Sequence, residues 1–255
     1  MNGFADFPVR VFALTFVLMW MTAWAAAVWL RANRSVVGDV RENFRVVQAA
    51  VLTLLGLMIG FTFSMAISRY EQRRVLEEAE ANFIGTQFLR ADLLPAVEGD
   101  TVRKLLRRYT DLRIDFYTVA DAARLAEVDA KTTAVQQQLW QSIQGPAGER
   151  PNQITALVVS GMNDVINSQG FTQAAWWNRV PLAAWGLIFV VGLLGSVSVG
   201  VGARDSNEER VLLPVLPFVV AVSFFFISDI DSPRYGLILV EPVDLLHLAQ
   251  SLQSR

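Results

Sequence analysis

Four stretches of the chain run without a charged residue for about the length a helix needs to cross a bilayer. Val11 to Leu30 has 20 residues, Val46 to Ile67 has 22, Val180 to Ala203 has 24 and Val211 to Ser228 has 18. A hydrocarbon core of roughly 30 Å takes about 20 helical residues, so three runs fit well and the fourth is near the lower limit. Helices of a large water-soluble core would interrupt such runs with polar faces at a helical period, and those are absent. The pattern predicts an all-α membrane protein with four transmembrane helices in two hairpins. Arg10, an apolar stretch and the small-residue series Ala23, Trp24, Ala25 could also serve as a signal peptide with its cleavage site. The apolar run continues through Leu30, longer than such a peptide needs, so a retained span is expected.

The connections within the hairpins are short, Ala32 to Arg45 and Arg204 to Arg210. Between the hairpins lies a polar insert of 112 residues, Ser68 to Arg179, with 13 Lys and Arg against 14 Asp and Glu. That balance suits a folded domain better than a charged tail. Its apolar positions recur at three and four. Leu105, Leu106, Tyr109, Leu112 and Phe116 lie on one face of a helix expected over Asp100–Tyr117. Further helices are expected over Tyr70–Arg90, Asp121–Ile143 and Gln153–Ser168, punctuated by Pro95, the Gly145–Gly148 stretch and Pro151. Nothing breaks the chain between Ile67 and Arg69, so the second span is expected to run on into the Tyr70 helix. Ser228 to Tyr235 reads as a turn, Gly236 to Val240 as extended, and Pro242 as the start of a last helix through Leu252. The expected divisions are a first transmembrane hairpin over 1–67, the helical insert over 68–179, a second hairpin over 180–228 and a C-terminal segment over 229–255.

Composition narrows the chemistry. Of 255 residues, 53% are hydrophobic and 18% charged, the net charge is −2, and there is one histidine and no cysteine. Disulfides, thiolate metal sites and multi-histidine zinc sites are excluded within one chain, and the charge gives no reason to expect nucleic acid as a partner. No phosphate-binding loop, dinucleotide fingerprint, nucleophile elbow or metalloprotease motif is present. The chain is therefore not expected to be an enzyme, and no cofactor is expected. His247 reads as a surface residue of the last helix.

Three sets of residues could serve transport. In the second span Gly56, Gly60 and Ser64 are four apart and Thr53 lies three before Gly56, a spacing that lets helices approach closely. Phe61 and Phe63 sit beside them, and a ring of aromatic side chains on a symmetry axis can form a hydrophobic constriction. Just outside the membrane, Glu77, Glu78 and Glu80 follow Arg69, Arg73 and Arg74 by about one turn; they could attract ions, pair between helices or form a solvated face. Asp229 and Asp231, before Ser232 and Pro233, could ligate a divalent cation, or cap the next segment and pair with Arg234 or an arginine of the insert. Pro214 and Pro217 are expected to kink the fourth span or start it late.

The stretch GLMIGFTFSMAISRYEQRRVLEEAEANFIGTQFLRADLLP, Gly56 to Pro95, resembles the hallmark of the bestrophin-like domain family of bacterial and plant membrane proteins. SDIDSPRYGLILV, Ser228 to Val240, is similar to the acidic, proline- and glycine-bearing segment that follows the family's last span. RYTDLR, LW and MNDVINSQ occur between them in the expected order, so the resemblance covers the chain from about Val46 onward. It implies a bestrophin-related fold in the inner (plasma) membrane, with both termini and residues 68–179 cytoplasmic, although the Lys and Arg of the loops do not decide the orientation. It further implies a homo-oligomer, a pentamer in that family, around an ion path lined by the second span, with inorganic ions and the lipid bilayer as its partners. Thr53, Gly60, Phe61, Phe63 and Ser64 would then line or narrow the path, and anions would pass. Arg69, Arg73, Glu78 and Glu80 would attract ions or pair between helices. Asp229 and Asp231 fall where some animal members bind calcium, but the long acidic run of that site is lacking. The rival expectation is a non-conducting membrane adaptor or sensor whose insert binds a partner.

Overall fold

The computed structural model describes residues 7–32, 41–149, 151–202 and 213–254. Most of them are helical: α1 Pro8–Ala32, α2 Arg41–Arg90, a 3-10 turn Ala91–Leu93, α3 Ala96–Thr118, α4 Ala122–Glu149, α5 Gln153–Trp177, α6 Leu182–Gly202, α7 Val215–Asp231 and α8 Val243–Gln253. No strand occurs among the described residues. The connections expected within the two hairpins lie largely outside the described residues, as do Arg34, Arg204 and Arg210. The second apolar run does continue without a break, and α2 is a single helix of 50 residues.

Three helical stretches, Pro8–Trp29, Phe44–Leu93 and Gln153–Gly202, are long and apolar enough to cross a membrane. The fourth run gives a shorter helix, because Pro214 stands at the N-cap of α7 and leaves 17 residues. Proline suits that position, where its missing N–H costs no helical hydrogen bond. The last turn of α7 contains Asp229 and Asp231, so Ser228–Asp231 is helix rather than the expected turn, and the turn begins at Ser232.

The chain divides into two compact units, one of residues 1–68 and 179–238, the other of residues 69–178 and 239–255. In the first, α1 packs on α6 and α7. Met19, Leu55, Ile188, Val220 and Phe224 form its core. Small residues set the spacing: a methyl group on Gly200 would overlap the Ala23 carbonyl of α1. Outside that core Trp24, Leu187 and Phe218 are exposed, as a lipid-facing surface requires.

The second unit has its own core, including Ile84, Phe88, Leu106, Tyr109, Phe116, Leu139, Met162 and Val165. Helix α3 packs on α4, α4 on α5, and α8 on α3. Several boundaries differ from the sequence expectation. Helix α3 begins at Ala96, directly after its N-cap Pro95. Helix α4 passes through Pro146 and ends at Glu149. The missing N–H and the ring of that proline disturb one carbonyl, that of Ser142 four residues before, and only three residues of helix follow it. Helix α5 continues to Trp177, with a capping box at its start in which Asn152 accepts from Thr155 N–H and Thr155 from Asn152 N–H.

Candidate functional site

Within the first unit, one side of α2 faces inward. Leu55, Thr62 and Ala66 are buried, and at about 100° per residue they share one line along the helix. Thr62 satisfies its hydroxyl by donating to the Met58 carbonyl at 2.8 Å. Thr53, Gly60 and Ser64 fall opposite that line and are exposed. A methyl group built on Gly56 or Gly60 meets no atom within 4 Å. Among the described residues, Gly56 and Gly60 are therefore not used for packing inside one chain. Phe61 and Phe63 flank this strip on its two sides and are 61% and 37% exposed. The two rings point about 200° apart, so Phe63 lies on the opposite flank.

The second unit holds a layer of buried charge. Along α2, Arg73, Glu77, Glu80, Ile84 and Gln87 are buried at alternating spacings of four and three. This is the core-facing period of a helix, occupied four times in five by polar side chains. Glu80 pairs with Arg113 of α3 at 2.5 Å, and both side chains are fully buried. Thr172 of α5 donates to the second Glu80 oxygen at 3.2 Å, and the Arg113 guanidinium lies 4.4 Å from the centre of the Phe116 ring. Burial is the largest effect on Arg113 and opposes its charge, but attraction to and hydrogen bonding with Glu80, together with Tyr109 and Tyr117, more than offset it and raise its pKa. The phenols of Tyr109 and Tyr117 are pushed up by burial first and by the Glu80 charge second, so both stay protonated.

The other charges named from the sequence are dispersed. Arg73 donates to the carbonyls of Ala175 and Asn178, both at 3.2 Å. These are groups that the end of α5 leaves without helical partners, and a cation there also suits the helix dipole. Arg69 donates to the Asn178 side chain, and Glu78 is exposed. Glu80 thus takes its hydrogen-bonding partners from α3 and α5 rather than from the arginines one turn before it.

In the first unit, both acidic residues at the end of α7 accept backbone N–H groups. Asp229 receives those of Leu237 at 2.7 Å and Ile238 at 2.9 Å. Asp231 receives that of Val180 at 3.1 Å. Gly236 makes the first contact possible: its φ of 140° disfavours other residues, and a methyl group there would overlap the Asp229 carboxylate. Among the described residues no third His, Asp or Glu completes a metal-holding group around them.

Thr172 was not named from the sequence, and Tyr109 and Arg113 entered only through the apolar face of their helix and the RYTDLR motif, without the buried pair they serve. A signal for Arg113 existed, since it stands four after Tyr109 and three before Phe116 on an otherwise apolar face. The Glu77 contact with α8, in which Leu245 donates its N–H at 2.9 Å, had no local signal.

Solved structures with this fold include a bacterial bestrophin homologue from Klebsiella pneumoniae. It matches with a TM-score of 0.67 and 14% identity over 96% of this chain and 97% of that one. A single-residue variant of that homologue gives 0.69 and 14%, over 97% and 98%. A second variant gives 0.68 and 13%, over 94% and 97%. No curated protein matches the sequence. The family model described as Bestrophin-like domain matches residues 11–245. With its second-span motif, its helical fold and this match over nearly the whole length, the chain belongs to the bestrophin-like domain family.

Proposed function

We propose that the chain forms a homo-oligomeric ion channel whose path is lined by the Thr53, Gly60, Phe61 and Ser64 strip of α2. The observation that carries this reading is the strip itself. It is exposed, and it combines hydroxyl groups with a backbone bare at Gly56 and Gly60, where an added methyl group meets nothing within 4 Å. Such a face suits a hydrated ion, or a second copy of itself, better than lipid. Family membership supports the same reading. The span from Val46 to Ile67 contains no carboxylate to repel an anion, so anions are the proposed cargo. Helix α7 is proposed as the fourth span, with its two hairpins and both termini in the inner-membrane arrangement of the resemblance, and 68–179 as the cytoplasmic insert. The family resemblance likewise supports a pentamer.

Purified protein reconstituted into liposomes, with flux read under chloride, potassium and sodium gradients, tests this. Chloride flux exceeding both cation fluxes is expected. Flux of potassium or sodium alone would overturn the anion assignment, and flux of none would favour a non-conducting adaptor.

A further inference from the structure

The corner where α2 turns through the 3-10 segment into α3 borders a cleft of about 390 Å³. Ligand sites run from about 300 to 1,000 Å³, so this one suits a small molecule. The corner itself is closely fitted. Pro95 stands at the N-cap of α3, and at Gly99 an added methyl group would overlap the Ala91 carbonyl.

The charged side chains that line the cleft fall into two groups. In the first, Arg103 of α3 donates to Asp92 of the 3-10 turn and, at 2.6 Å, to Asp100. The hydrogen bond from Arg103 is the main reason that the Asp100 carboxyl is held below its ordinary value, so the acid stays ionised. The second group is Lys104 and Arg107, three apart on one face of α3. Arg107 lies two turns, about 10 Å of helix, beyond Asp100. It is fixed twice: its Nε donates to the Leu252 carbonyl at 2.8 Å, and its guanidinium lies 5.1 Å from the centre of the Phe88 ring. Among the described residues its terminal amino groups make no hydrogen bond, and the exposed Lys104 makes no ion pair. An arginine held in place with its fork unused, beside a second cation, is an arrangement that recognises an oxyanion. We propose that this cleft binds a small monocarboxylate, with its carboxylate on Arg107 and Lys104 and its apolar body along Leu89.

Charge decides the class of ligand. Three bases against two acids leave the cleft one positive charge in excess, which a single carboxylate neutralises. A phosphate monoester carries nearly two negative charges at pH 7, and the second would face Asp92 and Asp100 without a counter-charge. Leu89 is 52% exposed and gives the cleft an apolar wall that a ligand larger than acetate can cover. The cleft lies wholly within the second unit, and the inference is independent of ion conduction.

Fluorine NMR of 4-fluorobenzoate with the purified full chain at pH 7.5 reads binding as line broadening beyond that in detergent alone. The broadening should saturate, be reversed by excess benzoate and withstand the same concentration of inorganic phosphate. Neutral 4-fluorobenzyl alcohol should not reproduce it. Lys104→Glu, at an exposed position outside the core, should weaken binding by at least about tenfold. Arg107→Lys, which keeps the charge and loses the fork, should weaken it severalfold. Broadening no greater than in detergent alone would overturn the proposal. Binding that Lys104→Glu leaves unaltered would put the anion elsewhere, the α2 strip included, and overturn the cleft as its site. Displacement by phosphate as readily as by benzoate would overturn the carboxylate assignment, and equal broadening by the alcohol would overturn recognition by charge.

Discussion

Arg113 and Glu80 occupy positions that their helices give to the core, and each is tolerable there because of the other. Taking both from water costs free energy that their attraction and the added hydrogen bonds largely offset, whereas a lone survivor has no such compensation. Arg113→Met should therefore cost about 3–5 kcal/mol of stability, and combining it with Glu80→Leu should recover most of that loss in thermal unfolding. Equal losses in the single and double variants would assign the stability to the surrounding contacts instead. The glutamate cluster was visible in the sequence as charge just outside a span. Its pairing with Arg113 was not, because periodicity marks a residue's face but not which residue 33 positions away it will meet. At Phe61 and Phe63 the sequence required only that the two rings point apart. The greater exposure of Phe61 is why it is the ring proposed here for the path. Phe61→Ala should raise ion flux several-fold, while Phe63→Ala should leave flux within about twofold and lower stability; the reverse result would put Phe63 on the path.

At the scale of elements, the end of α7 and the turn after it form one structural unit. Asp229 fixes Leu237 and Ile238, and Gly236 gives it room. Gly236→Ala should cost at least about 1–2 kcal/mol from its left-handed backbone alone. Asp229→Ala should cost about as much, and together they should cost less than their sum because both remove one contact. Hydrogen exchange at the Leu237 and Ile238 amides measures this, and full additivity would mean the contacts act separately. Apolar periodicity made the helices of the insert legible, including the unbroken passage from span to insert in α2. Their ends were less so. The proline at 146 marked a stop in the sequence, yet α4 absorbs it in its final turn. Asp229 and Asp231 were read both as possible cation ligands and as caps of the next segment because sequence cannot show which backbone N–H groups a carboxylate will meet.

For the whole molecule, the open face of α2 is the feature that assembly has to explain. Because a side chain at Gly60 meets nothing within 4 Å, Gly60→Leu should leave the fold of one chain intact. If copies of α2 approach one another there, the same change should shift the purified protein from oligomer toward monomer in light scattering. An unchanged oligomer with reduced flux would instead put the strip along an open lumen.

The close approach at Gly200 bears on how much the sequence can drift while the fold stays the same. The fold is shared with the Klebsiella pneumoniae homologue at 14% identity. Exposed apolar positions such as Leu14, Leu187 and Val190 ask only for hydrophobicity, and many residues supply it. At Gly200 any added atom meets the backbone of α1, and no rotamer change can relieve that overlap. Random substitution across the first unit should thus be absorbed widely on its outer surface and almost nowhere along the Ala23–Gly200 seam, where a few small residues restrict the chain's evolution far more than its many large ones.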